Sequence, residues 1–166
     1  MQKFMKQNIA VFSVSLLVLG VVLAGPALAM DKMAMHISGQ WVRAVPPVSK
    51  TTAAFMTIVN KSGQDDALIG AEVEFAGKVE IHNVRKKDGM MEMFKVEEVA
   101  IPKGKTATLK PGSFHVMMMG LTSVPTKGET VKVTLVFRNA GKVTVEAEVR
   151  EGGMGMENGK KMKMKH

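Results

Sequence analysis

The chain has 166 residues, 46% of them hydrophobic, and carries a formal net charge of +8 with neither cysteine nor tyrosine. The absence of cysteine excludes disulfide cross-links, thiolate metal ligands and thiol nucleophiles. The lysines are scattered and form no stripe with aromatic residues, so we expect no nucleic-acid binding and interpret the charge as a source of solubility and of steering toward an acidic partner.

Residues 1–29 have the pattern of a cleaved export signal. Lys3 and Lys6 precede an uncharged apolar run over 9–24, which is shorter than the roughly 20 residues that a membrane-spanning helix needs. Ala27-Leu28-Ala29 fits the small-residue cleavage motif. We therefore expect cleavage after Ala29, a periplasmic location, and no membrane attachment of the mature chain.

The mature sequence is a series of short β-type segments separated by turn signals. We predict strands at 37–44, 52–60, 66–72, 77–84, 90–96, 105–109, 114–119, 130–138 and 142–149. Asp88-Gly89 and Asn139-Ala140-Gly141 are typical hairpin connections. The pattern predicts a single all-β domain over 30–150, a Greek-key β-sandwich or barrel, which we expect to be a monomer.

Two of the four histidines and two clusters of methionines lie between residues 77 and 119. The Asp88-Gly89 turn would place the strand that carries His82 beside the strand that carries Met91 and Met93. On the predicted strand 114–119, alternation with a period of two separates two faces. One face is apolar, and the other carries His115, Met117 and Met119.

Imidazole and thioether groups form a soft set of ligands, which favours Cu(I) and serves magnesium, calcium and manganese poorly. Zinc more often takes thiolates or additional imidazoles. Taken one at a time, the residues have plainer interpretations. A single histidine is more often exposed or hydrogen-bonded than a metal ligand. Met56, Met91 and Met118 each fit a core position better than a ligand position.

The spacing of four residues matches a known signature, H-x10-M-x21-H-x-M, at His82, Met93, His115 and Met117. Through this signature the chain resembles the periplasmic copper chaperones of the PCuAC family. The similarity extends over about 37–149 and includes Trp41-Val42-Arg43-Ala44-Val45-Pro46-Pro47. Asn83 is a departure, because some members carry a methionine there. Met91 or Met119 could replace that donor, although the expected coordination number favours four ligands.

The resemblance implies a cupredoxin-like β-barrel that binds Cu(I) through His82, Met93, His115 and Met117. It also implies delivery of copper to the CuA centre of a cytochrome c oxidase subunit, or to another copper chaperone. A copper buffer or resistance protein without an oxidase target is the alternative. The methionines of residues 151–166 are the main support for this alternative.

Other classes of function fit the sequence less well. Blue-copper electron carriers need a cysteine ligand, which this chain lacks. A metalloenzyme would need a general base at an open coordination position, but Glu92 is expected to point away from Met93, so we expect no enzyme. A purely structural β-sandwich would leave the His and Met spacing to chance.

Residues 151–166 contain no β-branched or aromatic side chain and cannot bury enough apolar surface to order themselves. We therefore expect a disordered tail. Its four lysines favour a simple solubilising role. Its soft donors instead favour capture of copper for the main site, or a second copper ion. These donors are Met154, Met156, Met162, Met164 and His166.

Overall fold

The computed structural model describes residues 34–152. The predicted export signal and nearly all of the predicted disordered tail lie outside the described residues. Within them, no helix is long and apolar enough to cross a membrane. The regular structure consists of ten strands: β1 Met35–Arg43, β2 Thr51–Asn60, β3 Asp66–Glu72, β4 Ala76–Lys87, β5 Met90–Lys95, β6 Val99–Ile101, β7 Thr106–Leu109, β8 His115–Leu121, β9 Thr130–Phe137 and β10 Gly141–Arg150.

The all-β prediction is confirmed, and each of the nine predicted strands has a counterpart in the structure. The structure contains one strand that was not predicted, β6, which has three residues. It pairs with β3 at the end of the sheet. Three residues are too few to show a period of two, so nothing in the sequence marks this strand.

The ten strands form one continuous sheet in the order β5-β4-β8-β2-β1-β10-β9-β3-β6, and β7 pairs with β2 beside β8. All of these pairs are antiparallel except β1 with β10, which run parallel. The chain therefore returns its last strand to lie beside its first, so that the two ends of the domain pair with each other.

A single hydrophobic core holds side chains from both halves of the sheet, so the sheet curls around it. On β9, alternate residues from Val131 to Phe137 are buried, as the alternation in the sequence predicts. On β8, Val116 and Met118 are fully buried. Met56 is also buried, so the core interpretation of Met56 and Met118 is confirmed.

The two predicted hairpins position the strands of interest. Asp88 and Gly89 both have positive φ, 51° and 82°, and join β4 to β5 in a two-residue turn. Such a turn requires left-handed backbone at both positions, which Gly adopts freely and Asp tolerates. In the β9–β10 connection, the buried Asp66 carboxylate accepts hydrogen bonds from the Asn139 and Ala140 backbone N–H groups at 3.0 and 2.9 Å.

Candidate metal centre

The four predicted ligands lie on the outer face of β4, β5 and β8. His82 on β4 is directly opposite His115 on β8, and Val84, two residues further along β4, is opposite Met93 on β5. Residues opposite each other in a sheet point to the same side, and the period of two adds Met117 to that side. The inner face of the same strands carries Ile81, Val116 and Met118 into the core.

The two imidazole rings lie close together, with their centroids 5.9 Å apart. His115 Nδ1 donates a hydrogen bond to the Ser113 carbonyl oxygen at 2.8 Å. His82 Nε2 lies 3.0 Å from a carboxylate oxygen of Glu80, to which it donates. Each ring is thus held through one nitrogen, and the proton position on the neutral ring is set by that hydrogen bond.

The other nitrogen of each ring has no partner among the described residues. His82 Nδ1 and His115 Nε2 are both buried and make no hydrogen bond. A buried polar atom without a partner is uncommon and costly. In the neutral rings each of these nitrogens presents a lone pair, which is the form of histidine that ligates metals. The two atoms therefore fit a shared metal ion.

The electrostatics of the site favour a neutral His115 and an ionised Glu80. Burial is the largest of the effects that lower the pKa of His115, and the charges of His82 and Arg43 lower it further. The hydrogen bond to Ser113 raises this pKa, but the net shift is downward. Hydrogen bonds from His82 and Lys78 lower the pKa of Glu80 to about 2. The Glu80 carboxylate is therefore charged at neutral pH and able to hold the His82 proton.

A cavity of about 410 Å³ opens onto this face, and Met93, His115 and Met117 form part of its wall. His82 does not line the cavity, and its ring lies beside that of His115 instead. The structure therefore brings all four predicted residues into one neighbourhood, three of them at the cavity surface. No group of three or more histidine, aspartate or glutamate side chains suited to a metal occurs within residues 34–152. A metal on this face would accordingly need the thioethers.

The core interpretation of Met91 is wrong. Its side chain is 65% exposed and lines the cavity together with Met93, which is 51% exposed. Met91 lies on β5, which is an edge strand of the sheet. It is two residues from Met93, so its side chain points to the same outer face. Glu92 points away from Met93, as predicted, and it accepts a hydrogen bond from Arg85 at 2.7 Å.

A family model described as "Putative lipoprotein LpqE-like" matches residues 35–149. The chain belongs to this LpqE-like family. A curated relative, "Putative lipoprotein Lxx21020" of Leifsonia xyli subsp. xyli (strain CTCB07), is 30% identical over 125 residues, which are 75% of this chain and 74% of the relative.

Solved structures relate this LpqE-like chain to copper-binding domains. A copper-bound PCuAC domain from PmoF2 is 25% identical, with a TM-score of 0.62, over 72% of this chain and 94% of that domain. The Cu(I) form of DR1885 from Deinococcus radiodurans is 35% identical, with a TM-score of 0.57, over 76% and 83% of the two chains. The resemblance to PCuAC proteins and the cupredoxin-like β fold are confirmed.

Sequence reasoning missed two residues of the LpqE-like site, Glu80 and Arg43. Glu80 could have been found, because it lies two residues before His82 and so shares its face. Arg43 comes from β1 and lies 5.2 Å from the Phe55 ring, which is 6.2 Å from the His115 ring. Its position depends on the pairing of β1 with β2, for which no local sequence signal exists.

Proposed function

We propose that this LpqE-like protein is a copper carrier, which binds one Cu(I) ion through His82, Met93, His115 and Met117 and releases it by ligand exchange. The observation that carries the proposal is the pair of buried ring nitrogens without partners, on rings 5.9 Å apart, beside two thioethers. The copper-bound PCuAC domain and the Cu(I) form of DR1885 support the choice of metal.

The chemistry of the donors suits a carrier of Cu(I). Two imidazoles and two thioethers form a soft set, and thioethers need no deprotonation to bind. Met93 is 51% exposed at the mouth of the cavity, so a competing ligand can reach the metal on that side. Exchangeable ligands and an open approach favour transfer of the ion over catalysis on it.

The destination and the location belong to the same proposal. The N-terminal signal pattern supports export to the periplasm, where a carrier would deliver copper to the CuA subunit of cytochrome c oxidase or to another chaperone. A buffer or resistance protein is the second candidate, favoured by Met154, Met156, Met162, Met164 and His166 near the C-terminus. These donors would capture copper for the main site or hold a second ion.

An anaerobic Cu(I) titration tests the ligand set. We compare the full mature chain with a chain ending at Gly152, which keeps the contact between Gly152 and the Trp41 ring. The shorter chain should bind one equivalent tightly, and a His82→Ala, His115→Ala variant should lose it. The control is His36→Ala, because His36 is exposed on β1. Two tight equivalents in the shorter chain, or binding by the double variant, would overturn the proposal.

The full chain separates the roles of the tail from those of the site. Additional copper, or faster loading of the same single equivalent, would support a tail function. Identical uptake and rates would leave the tail as a solubilising segment. A deletion strain separates delivery from resistance, because loss of oxidase activity favours delivery, whereas increased copper sensitivity with normal oxidase favours buffering.

A further inference from the structure

Exposed apolar side chains gather at the mouth of the copper cavity. Five large apolar side chains are exposed among the described residues, and three of them belong to this region. Met91 and Met93 line the cavity on β5. Val48, 86% exposed, lies in the loop between the lining residues Val45 and Thr51. Ile69 lies elsewhere on β3, and Met90 has the strand parity of Glu92, which points away from the cavity face. A concentration of this kind marks an interaction surface.

Positive charges surround the same mouth. Lys50 and Lys110 each precede a residue of the cavity wall, Thr51 and Pro111. Lys86 is the register partner of Met91 and so shares the face of Met91 and Met93. All three lysines are exposed, and none of them forms an ion pair within residues 34–152.

Neighbouring carboxylates do not balance this charge. Glu80 is paired with Lys78 and His82, and Glu92 is paired with Arg85. Asp88, at the hairpin turn, is the one acidic residue of the β4–β5 connection. The wall itself contributes the Arg43 guanidinium, whose buried Nε has no partner among the described residues. The apolar mouth therefore has a positive rim.

We propose that this rim, formed by Lys50, Lys86 and Lys110 around Met91 and Met93, docks an acidic protein surface that presents a soft acceptor for Cu(I). The proposal rests on the proposed function and adds the nature of the partner. Complementary charge would steer the encounter and set the orientation. The cavity would then admit a thioether or thiolate side chain of the partner beside Met93, where the copper is most accessible.

Synthetic peptides supply the probe, because they separate acidity from the soft donor. One peptide has eight residues with two methionines and four aspartates, and its partner carries asparagine in place of each aspartate. Binding to the full mature protein, with and without Cu(I), is followed by amide NMR shifts. We expect the acidic peptide to shift residues 43–51, 84–93 and 110–113. It should bind at least about tenfold more tightly than the asparagine peptide at low salt, with the difference shrinking at about 0.5 M salt.

Charge-reversal variants decide whether the location of the lysines matters. The test variant changes Lys50, Lys86 and Lys110 to Glu and should lose the preference for the acidic peptide. The matched control makes the same change at three exposed lysines at the other end of β2, in the β6–β7 loop and on β9. They are Lys61, Lys103 and Lys132. The control should keep the preference.

Several results would overturn the proposal. One is an equal loss in both variants, which would attribute binding to net charge. Another is a set of shifts away from the cavity. A third is binding of the protein to anionic vesicles with no preference between the peptides. The Cu(I) affinity of each variant, measured in parallel, keeps the two proposals distinct. If the parent protein binds Cu(I) normally but shows no preference for the acidic peptide, only the docking surface is refuted, whereas absence of copper binding in the parent protein refutes the proposed function.

Discussion

Replacing Glu80 tests whether copper binding depends on how His82 is held. The carboxylate accepts the His82 Nε2 proton at 3.0 Å and leaves Nδ1 as the nitrogen with a free lone pair. In a Glu80→Ala variant the ring can rotate and exchange tautomers, because the carboxylate that holds its Nε2 proton is gone. Removing a partner of this kind weakens metal binding by about 10- to 100-fold. We expect a loss in that range for Cu(I).

Two further variants calibrate this effect. Glu80→Gln keeps an oxygen that can accept the proton but removes the charge, so its loss should be smaller, about threefold. Lys78→Gln removes the ammonium that lies 2.9 Å from Glu80, at a side chain that is 66% exposed. Exposed ion pairs contribute little, so this control should change the affinity by less than about twofold.

Anaerobic competition with a chromophoric Cu(I) chelator measures the affinities, and circular dichroism shows whether each variant is folded. NMR of the His82 ring nitrogens reports which of them carries the proton. A folded Glu80→Ala variant that binds Cu(I) within twofold of the parent would refute the reasoning. So would a Cu(I) complex of the parent protein in which His82 coordinates through Nε2.

Three further predictions follow from burial and titration. Met118→Ala leaves a cavity at a fully buried position, and it should lower the free energy of unfolding, measured by urea denaturation, by about 2–5 kcal/mol. The Cu(I) affinity should change by less than about twofold. A loss of stability under about 1 kcal/mol would contradict the packing described. Chelation should leave a folded protein, and a disordered circular dichroism spectrum would contradict this. Because the pKa of His115 is lowered in the fold, the unfolded chain takes up the proton first. Apo stability should therefore fall as the pH drops below about 6.5, with a smaller fall in His115→Gln, and an equal fall in both proteins would count against burial of His115.

The face of the site could be predicted because strands alternate with a period of two. Met117 follows His115 by two residues and so shares its side, and the left-handed turn at Asp88-Gly89 sets the pairing of β4 with β5. Both are local properties of the chain. The exposure of Met91 was missed because alternation gives the side of a strand but not which side is covered. That depends on β5 being an edge strand.

Contacts between distant segments could not be predicted. Arg43 and Phe55 reach the surroundings of His115 because β1 pairs with β2 and β2 pairs with β8. The orientation of each imidazole likewise depends on its partner, the Ser113 carbonyl for one ring and the Glu80 carboxylate for the other. The signature gives the residue types, and the tertiary structure gives the nitrogen that each histidine can offer.

Strand β8 explains how such a protein could gain and lose a metal without refolding. Val116 and Met118 point inward and are fully buried, whereas His115 and Met117 point outward to the cavity. The core is complete without any group from the outer face. Small zinc domains differ, because the metal supplies much of their folding free energy and its removal unfolds them. In this protein the buried side of β8 contributes to the stability of the fold. The outer side can therefore have the copper affinity that transfer requires without a change in stability.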